Sequence, residues 1–460
     1  MGQTIHIYHT NDLHSHFEMW PQISYYLKQQ KIKHDTNGET CLLFDIGDHV
    51  DRFHPISEAT SGKANIQLLN ELNYDAVTIG NNEGITLSHD QLDTLYDEAT
   101  FPVIVANLRK ENGDRPKWTK PYEIITTEQG IKIGVIGVTV FYETFYRMLG
   151  WSILDPFDCI KQVLKEIRDY VDGVVLLSHL GLSDDEIVAR KFPEIDVIIG
   201  GHTHHVLQNG KVVNNTLLTG AGKYGQWIGH IKITLGEGEE NEIQAELVDT
   251  NLLPQDKEAS LHLQQLEKEA KSVLNEPVAR LTKPLELNWF KDSSFSQLLA
   301  KAVKEWCNSE ASMVNAGVLL ESLPKGIVTK GDIHRICPHP INPCLLTISG
   351  NQLKEVILQA RTDKMEKLKL KGLGFRGKVM GRMIFDGIVV EGKKLEDGQF
   401  HVREVYVNGA PLDPNRTYRI ATLDMFTLGP LYPELSHLNE KTYFMPEMLR
   451  DILEWKLKQS

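Results

Sequence analysis

Short apolar, β-rich runs recur through the first half of the chain, and five of them are followed within a few residues by the Asp, His or Asn residues singled out below: no other feature constrains the fold as much. The runs are Thr4–His9, Cys41–Asp45, Asp75–Ile79, Phe101–Ala106, Ile131–Val138, Gly173–Leu177 and Ile195–Ile199. They alternate with segments of helical period, which is how βαβ units read. Residues 1–250 are therefore expected to form one layered α/β domain with these runs as buried strands.

The polar residues after the runs carry the chemistry. Asp12 and His14 follow the first strand, Asp48 the second and Asn81 the third, while His179 follows the Gly173–Leu177 run and His202 and His204 the Ile195–Ile199 run. In open α/β sheets the carboxyl edge of the strands is where ligands bind, so these seven side chains converge from five strands. Taken singly, an Asp-x-His or an Asn after a strand is more often a turn residue or a helix cap. Taken together, carboxylates and imidazoles crowded at one edge are expensive to pack without a compensating cation. The set therefore reads as a metal site.

Nitrogen and oxygen donors without thiolate suit Mn, Fe, Zn or similar divalent ions, and a shared carboxylate can hold two of them about 3.5–4 Å apart. Such a pair activates a water for in-line attack on a phosphoryl group, which suits hydrolysis of a phosphate ester. No G-x-S-x-G elbow accompanies these residues, which disfavours acyl transfer by a serine. A formal charge of −13 with no block of Lys or Arg argues against wrapping a nucleic acid.

The 460 residues, 41% of them hydrophobic, are enough for two or three domains. Residues 251–276 read as an amphipathic connector helix carrying Leu261, Leu263, Leu266, Ala270 and Val273, closed by Pro277. From 277 to 460 a second α/β region is expected, with helices at Ser294–Trp306 and Gly350–Arg361 and strands at Leu345–Ile348, Gly387–Glu391 and Tyr418–Ala421. The glycine-rich stretch Gly372–Gly381 reads as a mobile loop.

These motifs carry a resemblance. Asp12-x-His14, Gly47-Asp48, Gly80-Asn81, Ser178-His179-Leu180-Gly181 and Gly201-His202-Thr203-His204 resemble, in order and spacing, the calcineurin-like metallophosphoesterases of the 5′-nucleotidase and UDP-sugar hydrolase type, in their cytoplasmic branch. More loosely, Asn315-Ala-Gly317, Thr347-Ile-Ser-Gly350 and Tyr418-Arg-Ile-Ala-Thr422 resemble the C-terminal nucleotide-binding domain of those enzymes. The resemblance implies a β-sandwich flanked by helices, followed by an α/β 5′-nucleotidase-type substrate domain. It also implies one metal on Asp12, His14, Asp48 and His204, and another on Asp48, Asn81, His179 and His202. Asp48 would bridge the two.

The departures from the family pattern are specific. A catalytic His and its partner Asp are replaced here by Asn82 and Ile85. The Asn82 amide is then expected to donate to a phosphoryl oxygen without carrying a charge or a proton, and His49, His54 and His205 are the nearby candidates to substitute for the acid. The family's substrate motifs are altered to Ala316-Gly317-Val318-Leu319, Pro338-His339-Pro340-Ile341 and Gly429-Pro430-Leu431-Tyr432, which leaves His339, Phe426 and Tyr432 as candidates to contact a planar base. The leading expectation is a dinuclear phosphoesterase for a small phosphorylated metabolite, a nucleotide or a nucleotide derivative. A regulatory nucleotide-binding protein of weak turnover, and a phosphodiesterase or nucleotide-sugar hydrolase, are the alternatives. Five scattered cysteines, no export signal and no apolar run near the roughly 20 residues of a membrane span point to a cytoplasmic protein with no membrane contact.

Overall fold

The computed structural model describes residues 3–235, 242–394 and 400–459. The chain divides into two compact units, Met1–Ala270 and Lys271–Ser460.

In the first unit all seven expected runs carry strands, and the strands form two sheets, as a β-sandwich requires. A seven-stranded sheet has the spatial order Glu242–Asp249, Trp227–Leu235, Gln3–Thr10, Thr40–Asp45, Ala76–Val77, Val103–Ile104, Thr119–Lys120. A six-stranded sheet has the order Lys211–Val213, Thr216–Thr219, Val197–Gly200, Gly173–His179, Lys132–Thr139, Tyr122–Thr126. The inner strands of each are parallel, and antiparallel strands lie at their margins.

Side-chain alternation explains the sandwich. Ile5, Ile7, Leu42 and Phe44 of one sheet pack against Ile133, Val135, Val175, Leu177, Val197 and Ile199 of the other. The intervening residues Ile136, Val138, Val174, Leu176 and Ile198 point to the outer face. There they meet the Pro156–Ile167 helix through Ile160, Val163, Leu164 and Ile167. A strand apolar on both faces must be covered twice, so these runs are continuously hydrophobic. That helix starts where Asp155 accepts from Phe157 N–H and Asp158 N–H and Pro156 presets the first turn.

The expected connector forms the helix Lys257–Leu274. Its buried face is Ala259, Leu263, Leu266 and Ala270, and just before it Asp256 pairs with Lys28 (2.6 Å). The helix therefore belongs to the first unit as far as Ala270.

In the second unit a five-stranded sheet runs Met383–Asp386, Ala311–Asn315, Thr417–Leu423, Pro343–Ser349, Lys441–Tyr443. The helices Ser294–Trp306 and Gly350–Ala360 occur where the helical period places them. Among the described residues no helix is long and apolar enough to cross a membrane. The five cysteines are all unpaired.

Candidate metal centre

Five of the seven expected ligands stand in the left-handed backbone region. Asp12, His14, Asp48, His202 and His204 have φ between 49° and 67°. For non-glycine residues that conformation costs roughly 1–2 kcal/mol each, and it gathers at sites where the surroundings impose it. Here the strand-end turns are laced together: Asp12 N–H donates to Gly47 O (3.0 Å) and His14 N–H to Asp48 O (2.8 Å). Gly47 and Gly80 allow two turns to touch, since a Cβ on Gly47 would meet Gly80 N at 2.2 Å and one on Gly80 would meet Asp48 Oδ1 at 2.0 Å.

The structure brings all seven together. On one side His14 Nε2 lies 3.2 Å from His204 Nε2, 3.8 Å from Asp12 Oδ1 and 3.6 Å from Asp48 Oδ2. His204 Nε2 lies 3.4 Å from Asp12 Oδ1. On the other side His179 Nε2 lies 3.5 Å from Asp48 Oδ2, and His202 Nδ1 lies 2.8 Å from Asn81 Oδ1. Asp48 faces both groups.

The donor set fits divalent ions on its own geometry. His179 Nδ1–H donates to Ile46 O (2.7 Å), which leaves Nε2 as a lone-pair donor, fully buried and without a hydrogen-bond partner among the described residues. His14 has its other ring nitrogen 3.4 Å from Asp51 Oδ2, and Tyr142 OH lies 3.1 Å from His202 Nε2. Such outer partners fix the tautomer and direction of a ligating imidazole. Electrostatics agree. Burial opposes ionisation of Asp48, yet His179 and His14 hold its carboxyl below the ordinary range. Burial likewise opposes charge on His179, but Asp48 and Asp12 draw it up to about 10. The pocket demands positive charge.

Sequence reasoning missed Glu83, the carboxylate that assembles these turns. Its Oε2 accepts from Asp48 N–H (2.9 Å) and Gly80 N–H (2.8 Å), and its Oε1 from Val50 N–H (2.8 Å). The available signal was its place three residues into the helix Asn81–Thr86, where a Glu commonly reaches back to the cap. Asp51 and Tyr142 carried no such local signal.

Other expectations are corrected. Asn82 does not present its amide outward: Nδ2 donates to Val50 O (3.0 Å) and lies 2.9 Å from His14 Nδ1, and its backbone N–H donates to Asp48 Oδ1 (2.7 Å). Its amide is thus directed at Val50 and His14 within the protein. The spare histidines each have partners of their own. His49 is buried against Trp20 and Asn65, His54 caps the helix Pro55–Thr60, and exposed His205 pairs with Thr203.

His339, Phe426 and Tyr432 are core residues of the second unit. His339 is fully buried, with Nε2–H donating to Val318 O (2.9 Å) and Nδ1 accepting from Arg376 N–H (2.9 Å). Phe426 and Tyr432 pack edge to face, with centroids 5.2 Å apart. Rings enclosed in this way offer no face to a nucleobase.

Comparison with known proteins bears on the same residues. Residues 5–206 match the family model for calcineurin-like phosphoesterases, and residues 277–430 the one for the 5′-nucleotidase C-terminal domain. The chain is 49% identical over 463 residues to YunD, a metallophosphoesterase of Bacillus subtilis, covering 100% of both chains. It is 23% identical to a 5′-nucleotidase of Vibrio cholerae, over 97% of this chain and 90% of that one. Among solved structures, a putative 5′-nucleotidase of Staphylococcus aureus superposes with a TM-score of 0.71 at 18% identity, covering 100% of this chain and 97% of that one. The NAD nucleotidase of Haemophilus influenzae gives 0.69 at 17%, covering 100% and 96%. At those identities the structures show a shared fold.

Proposed function

The chain belongs to the calcineurin-like metallophosphoesterases with a 5′-nucleotidase C-terminal domain, which are metal-dependent phosphoric ester hydrolases, and from that premise we propose that it hydrolyses a nucleotide or nucleotide derivative at a two-metal centre. The observation that carries this reading is the convergence of the seven donor residues, Asp48 among them and facing both groups, with His179 Nε2 buried and unpartnered among the described residues. Asp12, His14, Asp48 and His204 would hold one ion, and Asp48, Asn81, His179 and His202 the other. Divalent ions in such a site lower the pKa of a coordinated water and neutralise phosphoryl oxygens.

This chain's own residues do the orienting. Asp48 serves both groups of donors, Ile46 O and Tyr142 aim two imidazoles, and Glu83 holds the turns that carry Asp48 and Asn81. With Asn at 82 and Ile at 85, no side chain there delivers a proton to a leaving alkoxide. That absence favours substrates with good leaving groups, phosphoanhydrides and nucleotide sugars above nucleoside monophosphates. The free thiols fit a reducing cytoplasm.

The test is a hydrolysis screen of manganese-reconstituted protein over nucleoside mono-, di- and triphosphates, cyclic nucleotides and nucleotide sugars, with metal content measured in parallel. Turnover with about two ions per chain is expected. Less than one ion per chain would remove the dinuclear reading.

A further inference from the structure

At the opposite end of the first strand, about 20 Å of extended chain from Asp12, a second group of imidazoles lies under the Trp20–Asn37 helix. Ile5 and Ile7 take the sandwich interior, so His6 and Tyr8 face outward to the helix. His6 and His34 are 7% and 1% exposed, and His230 on the neighbouring strand stacks on Tyr8. Burying imidazoles is unfavourable unless their polar atoms are matched.

One arrangement of protons satisfies the hydrogen bonds outside the cluster. Tyr8 O–H donates to Gln30 Oε1 (3.2 Å), so it accepts from His34 Nε2–H (3.0 Å). Glu246 accepts from His230 Nδ1–H (2.9 Å), so His230 Nε2 accepts from His6 Nδ1–H (2.9 Å). The remaining ring nitrogens, His34 Nδ1 and His6 Nε2, are then both lone-pair donors. They face Glu39 Oε2 at 2.8 Å and 3.7 Å. In that arrangement three electron-rich atoms turn on one another, and a cation among them would satisfy all three.

We propose that His6 Nε2, His34 Nδ1 and the Glu39 carboxylate form a separate site for zinc or a similar borderline divalent ion. The three donor atoms lie within 4.8 Å of one another. A tetrahedral ion with bonds near 2.0–2.1 Å places neighbouring donors about 3.3 Å apart, a spacing the two Glu39 distances bracket. The rings of His6 and His34 are stacked, 3.8 Å between centroids. Each ligating ring already has the outer partner that metal-bound histidines use, His230 for His6 and Tyr8 for His34. Burial, then His34 and His230, press His6 down to about 4, which keeps it neutral.

The backbone prepares the third ligand. The helix ends at Gly38 with φ 69°, and Glu39 N–H donates to His34 O (2.9 Å), so the capping turn sets the carboxylate beside the ring. Two imidazoles and one carboxylate exclude Mg and Ca as preferred occupants. An ion here would tie the helix end and its capping turn to the first strand and take no part in hydrolysis.

The test is equilibrium dialysis of the full chain against zinc, comparing wild type with His34→Gln and Glu39→Gln and assaying p-nitrophenyl phosphate hydrolysis alongside. Wild type should hold one more zinc per chain than His34→Gln, and Glu39→Gln should weaken that equivalent about tenfold or more, with hydrolysis within about twofold of wild type. Equal zinc binding by wild type and Glu39→Gln overturns the proposal, whatever His34→Gln does, and leaves a proton as the cation between His34 and Glu39.

Discussion

Replacing Glu83 should separate the clamp from the ligands it holds. Its two oxygens accept three buried backbone N–H groups, two on Oε2 and one on Oε1. In Glu83→Gln the amide oxygen keeps Asp48 N–H and Gly80 N–H, while the new NH₂ confronts Val50 N–H. One orphaned buried donor costs about 1–3 kcal/mol, and two bonds lose charge assistance. Partial relief opposes this, because burial and the neighbouring Asp48 push the Glu83 carboxyl up to about 6, and about 1.4 kcal/mol per unit is then recovered on neutralisation. The net loss should be about 1–3 kcal/mol. Glu83→Ala orphans all three donors and should cost about 3–6 kcal/mol. The assay is calorimetric melting of chelated protein, which keeps metal binding out of the readout. For a unit of this size each kcal/mol moves the midpoint about 2–4 °C, so the mid-range difference of about 2.5 kcal/mol puts Ala about 5–10 °C below Gln. The same variants should then lose manganese affinity in the same order. If Ala melts with Gln, the three N–H groups have other partners and Glu83 is not the clamp.

Chelation should lower the melting midpoint of the wild type, since ions bound only by the folded state stabilise it by mass action. Asp48→Asn should abolish most of that shift and reduce hydrolysis on the order of 10²-fold or more. For leaving groups, kcat/KM should be higher on p-nitrophenyl phosphate than on AMP; a wild type faster on AMP would show that another acid serves the site. Burial pushes the Asp424 carboxyl up to about 7, with the Asn342 N–H only partly offsetting it. Between about pH 4 and 7 the folded chain keeps a proton that the unfolded chain releases, so this contribution is full below about pH 4 and is lost as pH rises through 7. Asp424→Asn should flatten that slope, by about 4 kcal/mol at most, in urea melts taken from pH 4 to 8. Finally, a chain ending at 276, which retains the Lys257–Leu274 helix, should keep its manganese and lose selectivity among phosphorylated compounds, as dialysis and the substrate screen would read; an unchanged profile would show that the second unit does not choose the substrate.

The sequence by itself determined the ligand chemistry, because the identity of a donor and its place after an apolar run are both local. Asp12, His14, Asp48, Asn81, His179, His202 and His204 could be picked out before any contact was known, and the Ser294–Trp306 and Lys257–Leu274 helices follow from period alone. Only the tertiary structure decided which of the seven runs joins which sheet, since an apolar strand reads alike in either. It also decided which rings are enclosed. His339, Phe426 and Tyr432 have the composition of a binding face and the packing of a core, and aromatic side chains serve both ends equally well. Asn82 was read from its neighbour Asn81, but its amide is directed by Val50 and His14, which lie 32 and 68 residues away in the chain. The His6, His34 and Glu39 cluster likewise depends on a helix folding back over the strand that precedes it, and its donors acquire a common direction only when Tyr8 and His230 have taken the other ring nitrogens.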